Sequence, residues 1–544
     1  MTKLKKRILP FIFLLFFTLS FLCSHPAYAN NSDEERVYQS VREAVQSLMS
    51  SKEVAVYGTE WFALDLARDD QTFSEFYLKD LVDTIITKEG VLHTGDGRSD
   101  YTNYAKAVLV LTALGVDASN VAGYDLIERV SHFPLVRQQG LNGVIYALLA
   151  LDCHNFPINP PEDLPMDVTR ESYINALLLG QLEDGGWDYA NKQADPDMTA
   201  MAIQALAPYY ETNENVKASI DKALNTLSTL QQPDGGFLTE DAAFAESSES
   251  TSMVILALTA LGIDPTTDPR FIKNGYTAID NLCSFAVEGG FKHTQDGRYN
   301  AMATDQGYRA LVAYERLKNG KTSFYDMTDK GELITLTTAL AFNDVLDLNA
   351  WYFQTVYQIA GRVNEKGHAL MSGYSNGSGN FGPADPLTRQ DFAVILYRLD
   401  NEPEIPEMDN PFLDTKEDGY YYDCVLWAKA NNVIAGYNDG RFGVGDKITR
   451  EQVATILYRF ATDYLKLDTS AASEAGDLSK FNDGTAISEW AEAALTWATG
   501  AGIITGKSGG TEIAARGNAA RAEIGAMILR FINYRANLES SSSK

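Results

Sequence analysis

One turn recurs through the first half of this chain, and its spacing leaves few folds open. QLEDGGW (181–187), QQPDGGF (231–237) and VEGGF (287–291) follow one another at about fifty residues. In each, a Gly-Gly pair permits a tight reversal, and the aromatic after it is suited to plug a gap between helices. Roughly ten to fifteen residues further on, Thr199, Thr251 and the pair Thr304 and Asp305 each lead a helix-favouring run. Segments 35–49, 104–115, 142–151, 173–182, 198–208, 216–230, 251–262, 276–287 and 306–317 read as helices, several of them apolar nearly all round. A two-helix unit of this length cannot bury both faces alone, so the units must stack or close on one another.

The turn at 181–187 and the run DMTAMAIQAL (197–206) resemble the glutamine–tryptophan repeat and inner-helix start of the prenyltransferase and squalene-cyclase family. That resemblance spans about residues 35–320 and implies an all-α fold, an α/α toroid of six helical hairpins. Such a ring hosts cyclases, prenyltransferases and cobalamin binders alike, so it speaks to fold more than to activity. Asp195 and Asp197 lie close to the position where the cyclases carry an Asp-rich motif that protonates an alkene. Such chemistry needs a neutral carboxylic acid whose conjugate base its neighbours stabilise. Met198 removes one member of that cluster. The preferred reading is that Asp197 or Thr199 caps the helix 198–208. Asp195, Asp197, Trp187, Tyr189, Phe237, Glu240 and Phe291 remain candidates to line a ring mouth for a small molecule, peptide or glycan. Zinc catalysis would need an Asp, Cys and His set around one open position, and no such spacing is present. No metal and no cofactor is expected.

Past residue 335 a different repeat begins. Phe342, Phe412 and Phe481 open its three copies, followed by Trp351, Tyr420 and Trp490, by Gly373, Gly436 and Gly506, and by Thr388-Arg389, Thr449-Arg450 and Ala520-Arg521. Thr449 is a good N-cap, and Gln452 three residues on completes a capping box; Asp391 follows Thr388 in the same way. The Arg then falls in the first helical turn, where the macrodipole disfavours a cation by about 0.3–1 kcal/mol. Its recurrence there suggests that an anion is meant to arrive, held by helix N–H groups and a guanidinium fork.

These landmarks resemble the S-layer homology domain. The resemblance implies three repeats forming a pseudo-threefold helical bundle, whose grooves bind secondary cell-wall polysaccharide, often pyruvylated. The residues it implies are Arg389, Arg450 and Arg521, Gly373, Gly436 and Gly506, and Asp344, Asp414 and Asp483. Trp351, Tyr420 and Trp490 are expected to fill the three-fold core. The third copy departs from the pattern at Ala520 and in its loop 506–510, and the first carries an insertion at 361–370. The second copy is therefore the best candidate for binding.

The N-terminus reads as a secretory signal over 1–29, with Lys3, Lys5, Lys6 and Arg7 before an apolar core and a small-residue cleavage site at 27–29. Cys23 lacks the small residues that a lipoprotein site wants before it. Cys153, Cys283 and Cys424 are too sparse for a disulfide framework. The formal charge of −28 becomes −32 without the four signal cations, which argues against nucleic acid or an anionic membrane as partner. No transmembrane segment is expected after signal cleavage. The expected order is signal 1–29, toroid 30–320, linker 321–334, repeats 335–400, 401–466 and 467–536, and a polar tail 537–544. The reading is an exported protein anchored non-covalently at the cell wall, displaying a ring that binds a ligand. The competing reading is a tethered ring enzyme, cyclase-like or polysaccharide-lyase-like, and the first is preferred.

Overall fold

The computed structural model describes residues 31–92, 101–162, 164, 167–190, 192–238, 246–336, 340–405 and 407–542. The expected signal 1–29 and Glu240 lie outside them. The described residues are mostly helical, and four short strands make two small sheets.

The first half carries α1 (Asn31–Met49), α2 (Glu60–Arg68), α3 (Phe76–Thr87), α4 (Tyr101–Ala113), α5 (Leu126–Ser131), α6 (Phe133–Val136) and α7 (Gly140–Asp152). It continues with α8 (Arg170–Leu179), α9 (Pro196–Leu206), α10 (Glu214–Leu230), α11 (Ser248–Ala260), α12 (Ala278–Ser284) and α13 (Ala301–Lys318). Helices α2, α4, α7, α9, α11 and α13 each pack on the next, and α13 packs back on α2. The residue pattern explains which helices lie inside. In α11 every residue from Ser248 to Thr259 is buried, whereas α10 buries only the stripe Val216, Ser219, Ile220, Ala223, Leu224 and Leu227.

The contact between first and last inner helices is charged. Arg309 on α13 donates to Asp65 of α2 at 2.8 Å and to Asp305 at 2.9 Å, with its guanidinium 4.3 Å above the Trp61 ring. Arg309, Asp65 and Asp305 are all buried, and burial raises the Asp65 carboxyl well above its ordinary value. Removing one partner of such a buried set costs about 3–5 kcal/mol.

Residues 321–334, expected as a linker, are instead fastened to this half. Arg68 donates to the carbonyls of Phe324 and Asp326 and to Asp329, and Arg316 donates to the other Asp329 oxygen. Desolvation opposes ionisation of Asp329, but the two arginines outweigh it and hold its carboxyl down at about 2. Phe324 and Met327 are buried. β1 (Val116–Val121) then pairs in parallel with β4 (Ile334–Leu336), while β2 (Ala286–Val287) and β3 (Gly290–Phe291) form an antiparallel hairpin.

The second half holds α14 (Phe353–Ala360), α15 (Arg389–Leu399), α16 (Tyr422–Ala430), α17 (Arg450–Arg459), α18 (Ser470–Ala475), α19 (Glu492–Gly500) and α20 (Arg521–Ser542). The helix that opens each repeat packs on the closing helix of the repeat before it in cyclic order: α16 on α15, α19 on α17, α14 on α20. Three backbone hydrogen bonds close the same cycle. Leu387 N donates to Ala519 O, Ala519 N to Ile448 O, and Ile448 N to Leu387 O, at 2.9–3.1 Å. The expected tail from 537 continues α20 as far as Ser542.

Candidate functional site

Each recurring arginine begins the helix that closes its repeat, behind the N-cap Thr388 (α15), Thr449 (α17) or Ala520 (α20). Its side chain does not serve its own repeat. Arg389 Nε donates to Phe442 O at 2.9 Å, Arg450 Nε to Ile513 O at 2.9 Å, and Arg521 Nε to Phe381 O at 2.7 Å. Each of those carbonyls belongs to the loop of the next repeat, and that loop is held by its own aspartate. Asp344 accepts from the amides of Phe381 and Gly382, Asp414 from Phe442, Gly443 and Val444, and Asp483 from Ile513 and Ala514, all at 2.7–2.8 Å.

The nine residues therefore form three stations, each shared by two repeats. The first groove joins Arg389 to Gly436 and Asp414, the second Arg450 to Gly506 and Asp483, and the third Arg521 to Gly373 and Asp344. The second repeat, expected to carry the best groove, is divided between the first and second. Asp344, Asp414 and Asp483 each use both oxygens on backbone amides and so brace the loop that walls the groove. Gly436 sits at φ +83°, and a Cβ there would stand 2.4 Å from the Phe412 ring, so any larger residue would push the loop off its support.

Arg389 and Arg450 are nearly sealed, and burial lowers the pKa of both guanidinium groups. Tyr437 lies 4.9 Å from the Arg389 guanidinium and Tyr374 4.8 Å from that of Arg521. The second groove is a cavity of about 610 Å³ lined by Trp351, Arg450, Gly506, Lys507, Glu523 and Arg530, among others. Trp351, Tyr420 and Trp490 do not fill the three-fold core: they are 62%, 68% and 56% exposed. The core is filled by Phe342, Phe412, Phe481, Trp427 and Trp497, which leaves the other aromatics outside.

In the first half, the recurring turn is stapled from within. Gln181 Nε2 donates to Gly185 O and Ser219 O, and Gln231 Nε2 to Gly235 O and Phe271 O. Trp187, Phe237 and Phe291 are wholly buried, which removes them as ligand contacts. The Trp187 indole donates to Leu177 O at 2.7 Å, and its backbone amide donates to Thr199 Oγ1 at 2.9 Å. Tyr189 is 79% exposed.

The two aspartates divide their work. Asp195 is the N-cap of α9, accepting from Met198 N at 2.9 Å, so neither Asp197 nor Thr199 has that part. Asp197 lies in the first turn of α9, bonded by Ser250, with Oδ1 sealed and without a partner among the described residues. Burial first and Asp195 second push its carboxyl up to about 7. Glu249 and His293 face the same place, with His293 Nδ1 2.9 Å from both Glu249 oxygens. No motif joins Glu249 and Ser250 to His293, which stands alone in the sequence. Glu249 and Ser250 directly precede Thr251, the residue expected to lead that helix.

A further cavity of about 480 Å³ opens at the other ends of α7, α9 and α11, lined by Asp152, Cys153, Arg170, Gln204, Tyr209 and Tyr325, among others. Asp152 is bonded by both Arg170 and Tyr209 at 2.7 Å. Among the described residues no group of three or more His, Cys, Asp or Glu side chains is placed to hold a metal ion. No described helix is long and apolar enough to cross a membrane.

Residues 366–393, 411–454 and 480–523 match the S-layer homology domain family. The surface-layer 125 kDa protein of Lysinibacillus sphaericus is 29% identical over 153 residues, 27% of this chain and 12% of its own length. The exoglucanase XynX of Acetivibrio thermocellus is 28% identical over 207 residues, covering 37% of this chain and 17% of that protein. Cell surface glycoprotein 1 of the same species is 27% identical over 161 residues, 29% of this chain and 7% of that one. This chain thus spans a small fraction of the relatives it matches. A solved structure described as a possible member of GH105 family from Klebsiella pneumoniae aligns with 55% of this chain and 96% of its own, at 10% identity and a TM-score of 0.29, too distant to inform fold or activity. The three S-layer homology domains make this a surface protein of the cell wall or S-layer.

Proposed function

We propose that the second half anchors this protein to an anionic secondary cell-wall polysaccharide, pyruvylated in many cases, and that the first half is an α/α toroid displayed outward to hold a small ligand, peptide or glycan. The observation that carries the anchor is the use of each arginine. Nε is spent on the loop of the next repeat, which fixes the guanidinium in place. In the first groove both Nη atoms of Arg389 then remain without a hydrogen bond to the described residues, at a helix N-terminus suited to a carboxylate. The exposed Trp351, Tyr420 and Trp490 offer faces on which a sugar ring can lie.

The test is co-sedimentation of the full chain with native wall sacculi. Changing Arg389, Arg450 and Arg521 together to Ala should lower the bound fraction more than tenfold, with circular dichroism confirming a folded protein. Stripping the non-peptidoglycan polymer should do the same. Retained binding to bare peptidoglycan would sink the proposed partner.

One observation favours an enzyme as a second reading. A buried carboxyl at about 7 beside a Glu–His pair keeps a large protonated fraction at neutral pH, as a general acid needs. Turnover of a candidate glycan or isoprenoid that disappears in Asp197→Asn would establish it over binding alone.

A further inference from the structure

Three residues into the closing helix of each repeat stands a side chain with a carboxyl or amide end: Asp391, Gln452 and Glu523. In two repeats that end is occupied locally. Asp391 accepts from the Thr388 hydroxyl and from the Tyr420 hydroxyl of the next repeat. Gln452 is neutral, and its Oε1 accepts from Thr449 N at 3.1 Å. The third repeat has lost both local hydroxyls, since Ala520 stands at the Thr position and Trp351 at the Tyr420 position. Glu523 is also one methylene longer than Asp391. Its Oε2 accepts from Ala520 N and from Arg450 Nη1, each at 3.3 Å, and its Oε1 lies 2.7 Å from Lys507 Nζ. Lys507 occupies the place taken by Tyr374 and Tyr437 in the other two loops. Neither Arg389 nor Arg521 makes an ion pair with any described residue, so the second groove alone has its recurring arginine engaged by a carboxylate of the chain itself.

We infer that Glu523 occupies the anion position of the second groove, and that the wall polymer's acidic group is bound by the first and third grooves only. This rests on the wall-polymer reading given above. An incoming carboxylate at Arg450 would have to expel Glu523 from two cations and leave it beside the newcomer, in a groove whose arginine is almost fully buried. Ala520 and Lys507 are thus two parts of one change: the first removes the hydroxyl that would compete for Glu523, leaving it only the Ala520 amide of its cap, and the second draws its other oxygen across the groove.

Isothermal titration of the full chain with a methyl hexopyranoside carrying a pyruvate ketal tests this, with the sugar lacking the ketal as control. Two sites per chain are expected for the wild type. Three are expected for Glu523→Gln, which places in the third repeat the residue type that the second repeat has as Gln452. Ala520→Thr supplies a hydroxyl to draw Glu523 back to its cap, and should raise affinity at the second groove at least tenfold without touching Glu523 itself. A wild type that already fills three sites, or a Glu523→Gln variant that stays at two, overturns the inference while leaving the wall-polymer reading intact. Absence of ketal-dependent binding in the wild type and both variants counts against the wall-polymer reading, and this inference falls with it.

Discussion

The two halves of this molecule repeat the same kinds of residue to opposite ends. In the first, the aromatic that follows each glycine turn is buried completely, as Trp187, Phe237 and Phe291 show. In the second, the aromatics at 351, 420 and 490 stand more than half exposed. The difference lies in what the turn must support. A ring of helices needs the gap behind each turn filled, and the Gln181 and Gln231 side chains use their donors to pin that turn to the next element. The C-terminal repeats fill their core with other rings, and hold each loop with an aspartate from below and an arginine from the neighbouring repeat. Repetition alone does not separate core from site; what separates them is whether a polar group still has atoms to offer once the backbone is satisfied.

The sharpest way to break this comparison is to truncate one aromatic from each half. Trp187→Ala removes a fully buried indole and a hydrogen bond to Leu177, and should cost about 3–5 kcal/mol in denaturant unfolding of the ring. Trp351→Ala should shift stability by no more than about 0.5 kcal/mol, while lowering sedimentation with wall sacculi severalfold. Equal destabilisation by the two would show that the halves use their aromatics alike.

Much of this was legible in the sequence because it is local. The turn at 181–187 and the caps at Thr388 and Thr449 depend on residues within a few places of one another, whereas α2 and α3 carried no such signal and were not expected. What was not legible depends on residues that meet only in the fold. Arg389 reaches a carbonyl 53 residues away, so the landmarks of one repeat could not reveal that each groove is shared by two. The exposure of Trp351 follows from which rings fill the core, which no spacing rule states. Asp197 or Thr199 was expected to cap α9, but the helix starts earlier, at Pro196, and Asp195 caps it. The Glu249 and His293 neighbours of Asp197 come from α11 and from the residues after β3.

A smaller effect bears on the buried carboxyl of Asp197. The unfolded Asp197 carboxyl titrates near about 3.9, and the folded one at about 7. Between those values the folded chain holds a proton that the unfolded chain has released. This contribution is therefore fully present below about pH 4, declines as pH rises through 7, and is level above. A shift of that size corresponds to on the order of 2–4 kcal/mol. Asp197→Asn should accordingly be more stable than wild type by about 2 kcal/mol at pH 8 and equal to it at pH 4. A pH-independent difference in thermal unfolding would mean that the carboxyl is not held neutral. Asp197 would then be an ordinary first-turn acid.

The smallest predicted effect separates repeats that look alike. Thr449 caps α17 through Gln452 N and receives Gln452 back on its own amide, so Thr449→Ala should cost about 1 kcal/mol. Ala520→Thr restores the same hydroxyl at α20 but should gain less than that loss. Glu523 already accepts from the Ala520 amide, and a hydroxyl that draws its carboxylate off Arg450 and Lys507 leaves a nearly sealed guanidinium without its partner, which gives back most of the capping energy. Denaturant unfolding of the two variants side by side measures the asymmetry. Equal and opposite changes would mean that Glu523 contributes nothing at Arg450, and that the second groove is as open as the other two.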